Sequence, residues 1–242
     1  MLYRRLIISF LFLSIGFVCQ AQDQQLYYVK VMRAAPGELL ELIELLKEDI
    51  RQHKTLGIEE PRLMRHSQGD QWDLLVIFPV KAMDTYLSNA LLTNSKTFQK
   101  PYGHQLNDKI SFQEEGFFYG PIKADFDDWM SAYSYYHVEI FTALAGKQDA
   151  LLKEREMENV YLEALDRRPN FIFERAFGTS WDIFTIGCYD DIKDYASAGD
   201  IPFEEEDAAA KKAGFQSVNT IGSYLREFLL EHHDTLAGAV RP

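Results

Sequence analysis

Residues 27–88 and 136–197 align with each other without a gap at a constant shift of 109 positions. Tyr27, Val29, Ala34, Gly37, Leu42, Leu56, Gly69, Trp72, Asp73, Ile77 and Tyr86 meet Tyr136, Val138, Ala143, Gly146, Leu151, Leu165, Gly178, Trp181, Asp182, Ile186 and Tyr195. A repeat of this length means that each copy is a foldable supersecondary unit with its own apolar face. It predicts an architecture rather than a reaction.

The repeat leaves the N-terminus outside it. Arg4 and Arg5 precede an apolar run from Leu6 to Val18, and Cys19-Gln20-Ala21 supplies small residues at cleavage spacing. That run is shorter than the roughly 20 residues a membrane span needs, so residues 1–21 are expected to be a secretory signal peptide. The protein is then exported, periplasmic or secreted, with no membrane contact after cleavage. Lipid attachment at Cys19 is disfavoured by Val18, which stands where a small residue is required.

The net charge of −12 becomes more negative still once Arg4 and Arg5 leave. Nucleic acid and anionic lipid both select basic surfaces, so neither is expected as a partner. Only Cys188 survives cleavage, which rules out an intramolecular disulfide. Its setting, Ile186-Gly187-Cys188-Tyr189, reads as a small buried hydrophobe. Stability must come from an apolar core, and aromatic residues make up 14% of the chain to supply one.

Each copy reads β-α-β-β-α-β. Leu26–Arg33 alternates as a strand does, and Ala35-Pro36-Gly37 breaks it. Leu39, Ile43, Leu46 and Ile50 then fall at helical spacing within 38–56. Residues 61–67 and 72–78 form a hairpin about Gln68-Gly69-Asp70-Gln71. Residues 81–94 read as a second helix, and 117–119 as a closing strand. In the second copy, 135–142 is a strand, 147–165 a helix, and 170–177 with 181–188 a hairpin about Gly178-Thr179. Ile221, Leu225, Phe228 and Leu229 share a helical face, and 234–240 closes as a short strand. The units are thus 22–120 and 135–242, joined by 121–134.

This order, the Pro36-Gly37 and Ala145-Gly146 exits from the first strand, and the Trp-Asp hairpins resemble the dimeric α/β-barrel superfamily. That superfamily includes the antibiotic-biosynthesis monooxygenases and the EthD-like and NIPSNAP proteins. The resemblance implies an α+β fold in which two tandem ferredoxin-like βαββαβ units form one intramolecular, pseudo-dimeric α/β barrel. Two separate domains would leave an apolar sheet face uncovered on each copy, which soluble monomers seldom tolerate. Some relatives bind haem through histidine; no residue of this chain maps onto such a ligand, and no cofactor is expected.

Comparison of the copies assigns sheet faces. Val29 and Val31 match Val138 and Ile140, and Leu75 and Ile77 match Phe184 and Ile186. These apolar sets are expected to pack on the helices. Tyr28, Lys30 and Met32, opposite His137, Glu139 and Phe141, should then look into the lumen. So should Trp72, Leu74, Val76 and Phe78, opposite Trp181, Ile183, Thr185 and Gly187. The expected site is a cavity in the second half, where Thr185 and Gly187 are small. His137 would act as general base or ligand donor and Glu139 would orient it, with Tyr28, Lys30, Trp181, Thr185 and Gly187 lining the pocket. The competing arrangement is a buried Lys30–Glu139 pair on the pseudo-axis. The second strand is apolar on both faces, so either Arg65 and Glu174 or His66 and Arg175 point inward.

His232-His233-Asp234 invites a metal reading, but neighbouring residues on a strand or helix diverge too far to share one ion. His137-Val138-Glu139 has no Cys-x-x-Cys to complete a zinc site, and no metal is expected. Recurrence of Trp72-Asp73 as Trp181-Asp182 marks the needs of the fold. The sequence therefore points to a barrel binding a small, partly apolar molecule. Its alternatives are a cofactor-independent monooxygenase or isomerase acting on a phenolic or enolic substrate, and an interaction protein with a filled barrel.

Overall fold

The computed structural model describes residues 24–57, 59–80 and 106–242. The leader and the helix expected over 81–94 lie outside them. In chain order the elements are β1 (Gln25–Ala34), α1 (Leu39–Leu56), β2 (Arg62–Gly69), β3 (Leu74–Val80), β4 (Ile110–Gly120), α2 (Lys123–Ala132) and β5 (Tyr135–Ala143). They continue with α3 (Gln148–Ala164), β6 (Phe171–Phe177), β7 (Ile183–Tyr189), α4 (Ile192–Ala196), α5 (Phe203–Ala213), α6 (Ile221–Arg226) and β8 (Leu229–Val240).

The eight strands close into one antiparallel barrel in the order β1-β3-β2-β8-β5-β7-β6-β4. Each half contributes four adjacent strands, with its first strand between its third and its last. The halves meet twice, at β2–β8 and β4–β6. Closure leaves no exposed edge on which another strand could pair.

The repeated residues act where the chain changes direction. Gly37 and Gly146 both take positive φ (87° and 76°) at the entries to α1 and α3, a conformation glycine adopts without steric cost. Asp73 and Asp182 each receive a 2.8 Å hydrogen bond from a backbone N–H at the end of the half's first strand, Ala34 and Ala143. Their own N–H groups donate to the carbonyls of Met32 and Phe141. One carboxylate thus ties each hairpin to its neighbouring strand.

The faces are the reverse of those expected from the sequence. Val29, Val31, Leu75 and Ile77 form one cluster with Val138, Ile140, Phe184 and Ile186, together with Tyr27, Phe118 and Phe173. Residues from both halves can meet in this way only inside the barrel. Met32 and Leu74 pack instead with Leu42, Ile43 and Ile50 of α1, and Phe141 and Ile183 pack with Leu151 of α3. By alternation, Tyr28, Lys30, His137, Glu139, Thr185 and Gly187 point outward beneath the helices rather than into the lumen.

The physical reason is closure itself. An eight-stranded barrel has an interior that side chains just fill, so its lumen is the driest core available and takes the most uniformly apolar faces. Phe173 stacks on Phe184 at 4.3 Å, and Phe118 meets Phe184 edge-on at 4.9 Å. Gly120 is required by this packing, because a Cβ there would stand 2.4 Å from the Phe173 ring.

The segment joining the halves is a helix. Phe126 and Met130 of α2 enter the lumen core, and Phe126 packs against Tyr27, Phe171 and Phe173. They plug the end where β1 and β5 begin. The closing strands are longer than expected, because the polar runs at 113–115 and 231–234 continue the ladders.

Candidate functional site

Two places outside this packed interior gather polar groups. The first is the barrel mouth opposite α2. The hairpins carry Trp72 and Trp181 over the ends of β1 and β5, above Val31 and Ile140, and the space between holds a cavity of about 500 Å³. Phe112, Glu114, Asp70, Ser180, Glu231 and His233 complete its rim. Trp181 therefore faces the lumen, as expected, but at its end rather than beside Thr185 and Gly187.

The rim is acidic and partly fixed. Glu114 Oε1 accepts from the Ser180 N–H at 3.0 Å, from the Ser180 hydroxyl at 2.8 Å and from the Thr179 hydroxyl. Burial works to raise the Glu114 carboxyl, but these donors outweigh it and hold it below its ordinary range. Nδ1 of His233 lies 3.4 Å from Asp70 Oδ1. The indole Nε1 of Trp72 is buried without a hydrogen-bond partner, and so is Nε2 of His66, whose ring lies 5.9 Å from that of Trp72. The second strands are now phased. Met64 and Phe173 face the lumen, so His66 and Arg175 share their side. Arg175 is already committed, to Asp182 at 2.6 Å and the Thr179 carbonyl at 2.9 Å.

The second place is the outer face of β5, β7 and β8 beneath α3. Glu139 is 7% exposed and accepts from the Thr185 hydroxyl at 3.0 Å. The buried Arg155 of α3 lies 3.7 Å from Glu139, 2.6 Å from Glu154 and in contact with Glu158, and its guanidinium sits 4.6 Å above the Phe141 ring. His137 Nε2 is 3.1 Å from Asp234 Oδ1. His232 stacks on Phe141, with Nε2 3.5 Å from Glu139 and 3.6 Å from Asp234.

The carboxyls there divide. Burial works to raise Glu139, but His232 and the charges of Arg155 and His137 hold it below its ordinary range. Burial outweighs Arg155 at Glu154, and it pushes Glu158 up to about 7. Burial would lower His137, yet Asp234 and Glu139 raise it. His137 and Glu139 do come together, as the sequence suggested, but they are covered by a helix instead of lining the lumen. Lys30 and Glu139 do not pair across the axis; Lys30 lies 3.6 Å from Glu115. His232 and His233 both lie on β8; His232 shares an outer face with Asp234, while His233 points to the mouth. Arg155, Glu154 and Glu158 carried no signal beyond their departure from Leu46, Leu45 and Asp49 of the first copy.

A closed antiparallel barrel with helices outside and its two halves in one chain decides the comparison. The solved structures that share this fold are dimeric α+β barrel proteins. An anthrone oxidase-like protein matches at a TM-score of 0.62 with 10% identity, over 91% of this chain and 93% of that one. A chlorite dismutase-like protein matches at 0.53 with 9% identity, over 89% and 95%. A monooxygenase-like protein of Lactobacillus acidophilus NCFM matches at 0.50 with 7% identity, over 90% and 98%. At these identities the likeness is one of fold alone. No family model matches the sequence, and no curated protein matches it. The space around His137 and His232 does not suit a haem: Glu154, Arg155 and Glu158 close it with charge where a porphyrin needs apolar faces.

Proposed function

We propose that this protein binds a small, partly apolar molecule at the barrel mouth, between Trp72 and Trp181. The observation that carries the reading is the cavity of about 500 Å³ itself, closed below by the packed lumen, with the half-exposed Phe112 ring on one side and Glu114, Asp70 and His233 on the rim. The volume falls within the usual range for small-molecule sites, and two indoles with Phe112 offer flat apolar walls. The packed interior below confines the ligand to the mouth, so the filled-barrel description holds for the middle of the lumen.

Anthrone and hydroquinone serve as probes of a planar phenolic or enolic ligand. Titration should quench the tryptophan fluorescence saturably, and Phe112→Ala, which removes an exposed apolar wall of the cavity, should weaken the affinity about tenfold. Unsaturable quenching, or equal affinity in Phe112→Ala, would refute the site. Dioxygen uptake in the same mixture separates a cofactor-independent monooxygenase from a binder. We further read the barrel as a duplicated ferredoxin-like unit and the protein as exported. N-terminal sequencing of the secreted protein should then begin at Gln22.

A further inference from the structure

Equivalent rungs of the two halves carry corresponding trios of side chains on the outer sheet face. In the first half Lys30 pairs across the ladder with Glu115, and the Tyr28 hydroxyl donates to that same carboxylate. In the second half Glu139 pairs with Asp234, and His137 contacts that same carboxylate. Tyr28, Lys30 and Glu115 are therefore matched by His137, Glu139 and Asp234. The first trio contains its own cation, the Lys30 ammonium. The second has replaced that ammonium with a second carboxylate.

Arg155 does not restore the balance. It is the one guanidinium against Glu139, Glu154 and Glu158, with Asp234 at the rim. Glu139 and Asp234 face each other across the ladder, and two carboxylates brought together are costly unless a cation joins them. One further atom points the same way: Nε2 of His232, beside both carboxylates at 3.5 and 3.6 Å, is enclosed without a hydrogen bond.

We propose that His137, Glu139 and Asp234, with His232 as a fourth donor, form a binding site for a divalent transition-metal ion that takes the place of the first half's Lys30 ammonium. The donor atoms of His137, Glu139 and Asp234 lie within 4.8 Å of one another. His232 Nε2 adds contacts of 3.5 and 3.6 Å to the two carboxylates, and His137 one of 3.1 Å. Ligands about 2.1 Å from a common ion stand roughly 3.0–3.4 Å apart, so the 3.1 Å spacing of His137 and Asp234 already fits, and His232 must swing inward to complete the shell. Two imidazoles with two carboxylates select zinc, manganese or iron(II) over calcium or magnesium. Asp234, whose side chain is 57% exposed, is the route of entry, and Thr185 fixes Glu139 from behind. The sequence hid this set because its four members come from two strands and because His232 and His233 are adjacent yet face opposite sides.

The test is titration of tag-free protein, stripped with EDTA and dialysed, with zinc and manganese chlorides by calorimetry, and with cobalt(II) by visible absorption. One equivalent should bind per chain, cobalt should develop a ligand-field spectrum, and His137→Gln and Asp234→Asn should each weaken binding at least tenfold. Tyr28→Phe in the first half should change nothing. Asp234→Asn alters a rim residue, so its circular dichroism should match the parent and keep the comparison valid if His137→Gln fails to fold. Absence of stoichiometric binding, or binding unaltered in Asp234→Asn, would overturn the proposal.

Discussion

Lys30 and Glu139 stand on the same rung of the two halves and carry opposite charge, Lys30 against Glu115 and Glu139 against Arg155. Beneath α1 the outward residues Met32 and Leu74 pack with Leu42, Ile43 and Ile50. Beneath α3 the surroundings of Glu139 are ionic, and Arg155 at 2% exposure is the hub. Arg155→Met keeps the stem's packing over Phe141 but strands three carboxylates. Removing one partner of a buried pair costs about 3–5 kcal/mol. Urea unfolding should show a loss of that size, and a loss below about 1 kcal/mol would mean that the carboxyls are protonated without it.

Asp73 and Asp182 perform one task with unequal support. Both accept from the end of the half's first strand, but Asp182 also holds Arg175 at 2.6 Å. Asp73→Ala should cost about 1–3 kcal/mol through the unpaired Ala34 N–H. Asp182→Ala should cost more, because the guanidinium loses its partner as well. Equal losses in urea unfolding would show that the Arg175 contact adds nothing.

Asp127 makes the plug helix sensitive to acid. Burial works to raise its carboxyl, but Lys123 and Arg62, the latter at 2.7 Å, hold it below its ordinary range. A depressed folded value contributes stability in full above the unfolded pKa of about 4, and that contribution fades as the pH falls through the folded value. The melting temperature should therefore fall more steeply between about pH 5 and pH 2 in the parent than in Asp127→Asn. Parallel curves would contradict this.

Cys188 lies in the lumen at 1% exposure, and burial pushes its thiol up to about 12. Thiolate is the reactive form. In the chain lacking residues 1–21, a disulfide reagent at pH 8 should label nothing in the folded state and one thiol after denaturation. Labelling at the rate of an exposed thiol in the native state would place Cys188 elsewhere.

Among the described residues the strand order and the helices α1 and α3 were legible because the periods of strand and helix differ and each appears twice. The Trp-Asp hairpins were legible for the same reason, since recurrence selects what the scaffold requires. The direction of the faces was not. Val29 and Val31 alternate identically whether the apolar side meets a helix or the opposite half, and only closure of the barrel decides. Positions where the copies disagree, such as Tyr28 against His137, did mark the charged cluster. Its helical side was invisible because Glu154, Arg155 and Glu158 look like the solvated face of an amphipathic helix. Gln113 to Glu115 and Glu231 to His233 lay outside the expected strands because a strand facing charged partners loses its apolar alternation.

Helix α2 does more than fill the end of the lumen. Covalent linkage through it makes barrel closure a first-order event, independent of protein concentration, whereas two separate subunits would have to find each other. Linkage also releases the halves from identity. A symmetric pair must repeat every substitution on both faces, so a lysine exchanged for glutamate would appear twice and charge both interfaces alike. In a single chain one half can keep the apolar interface that holds the barrel together while the other turns ionic.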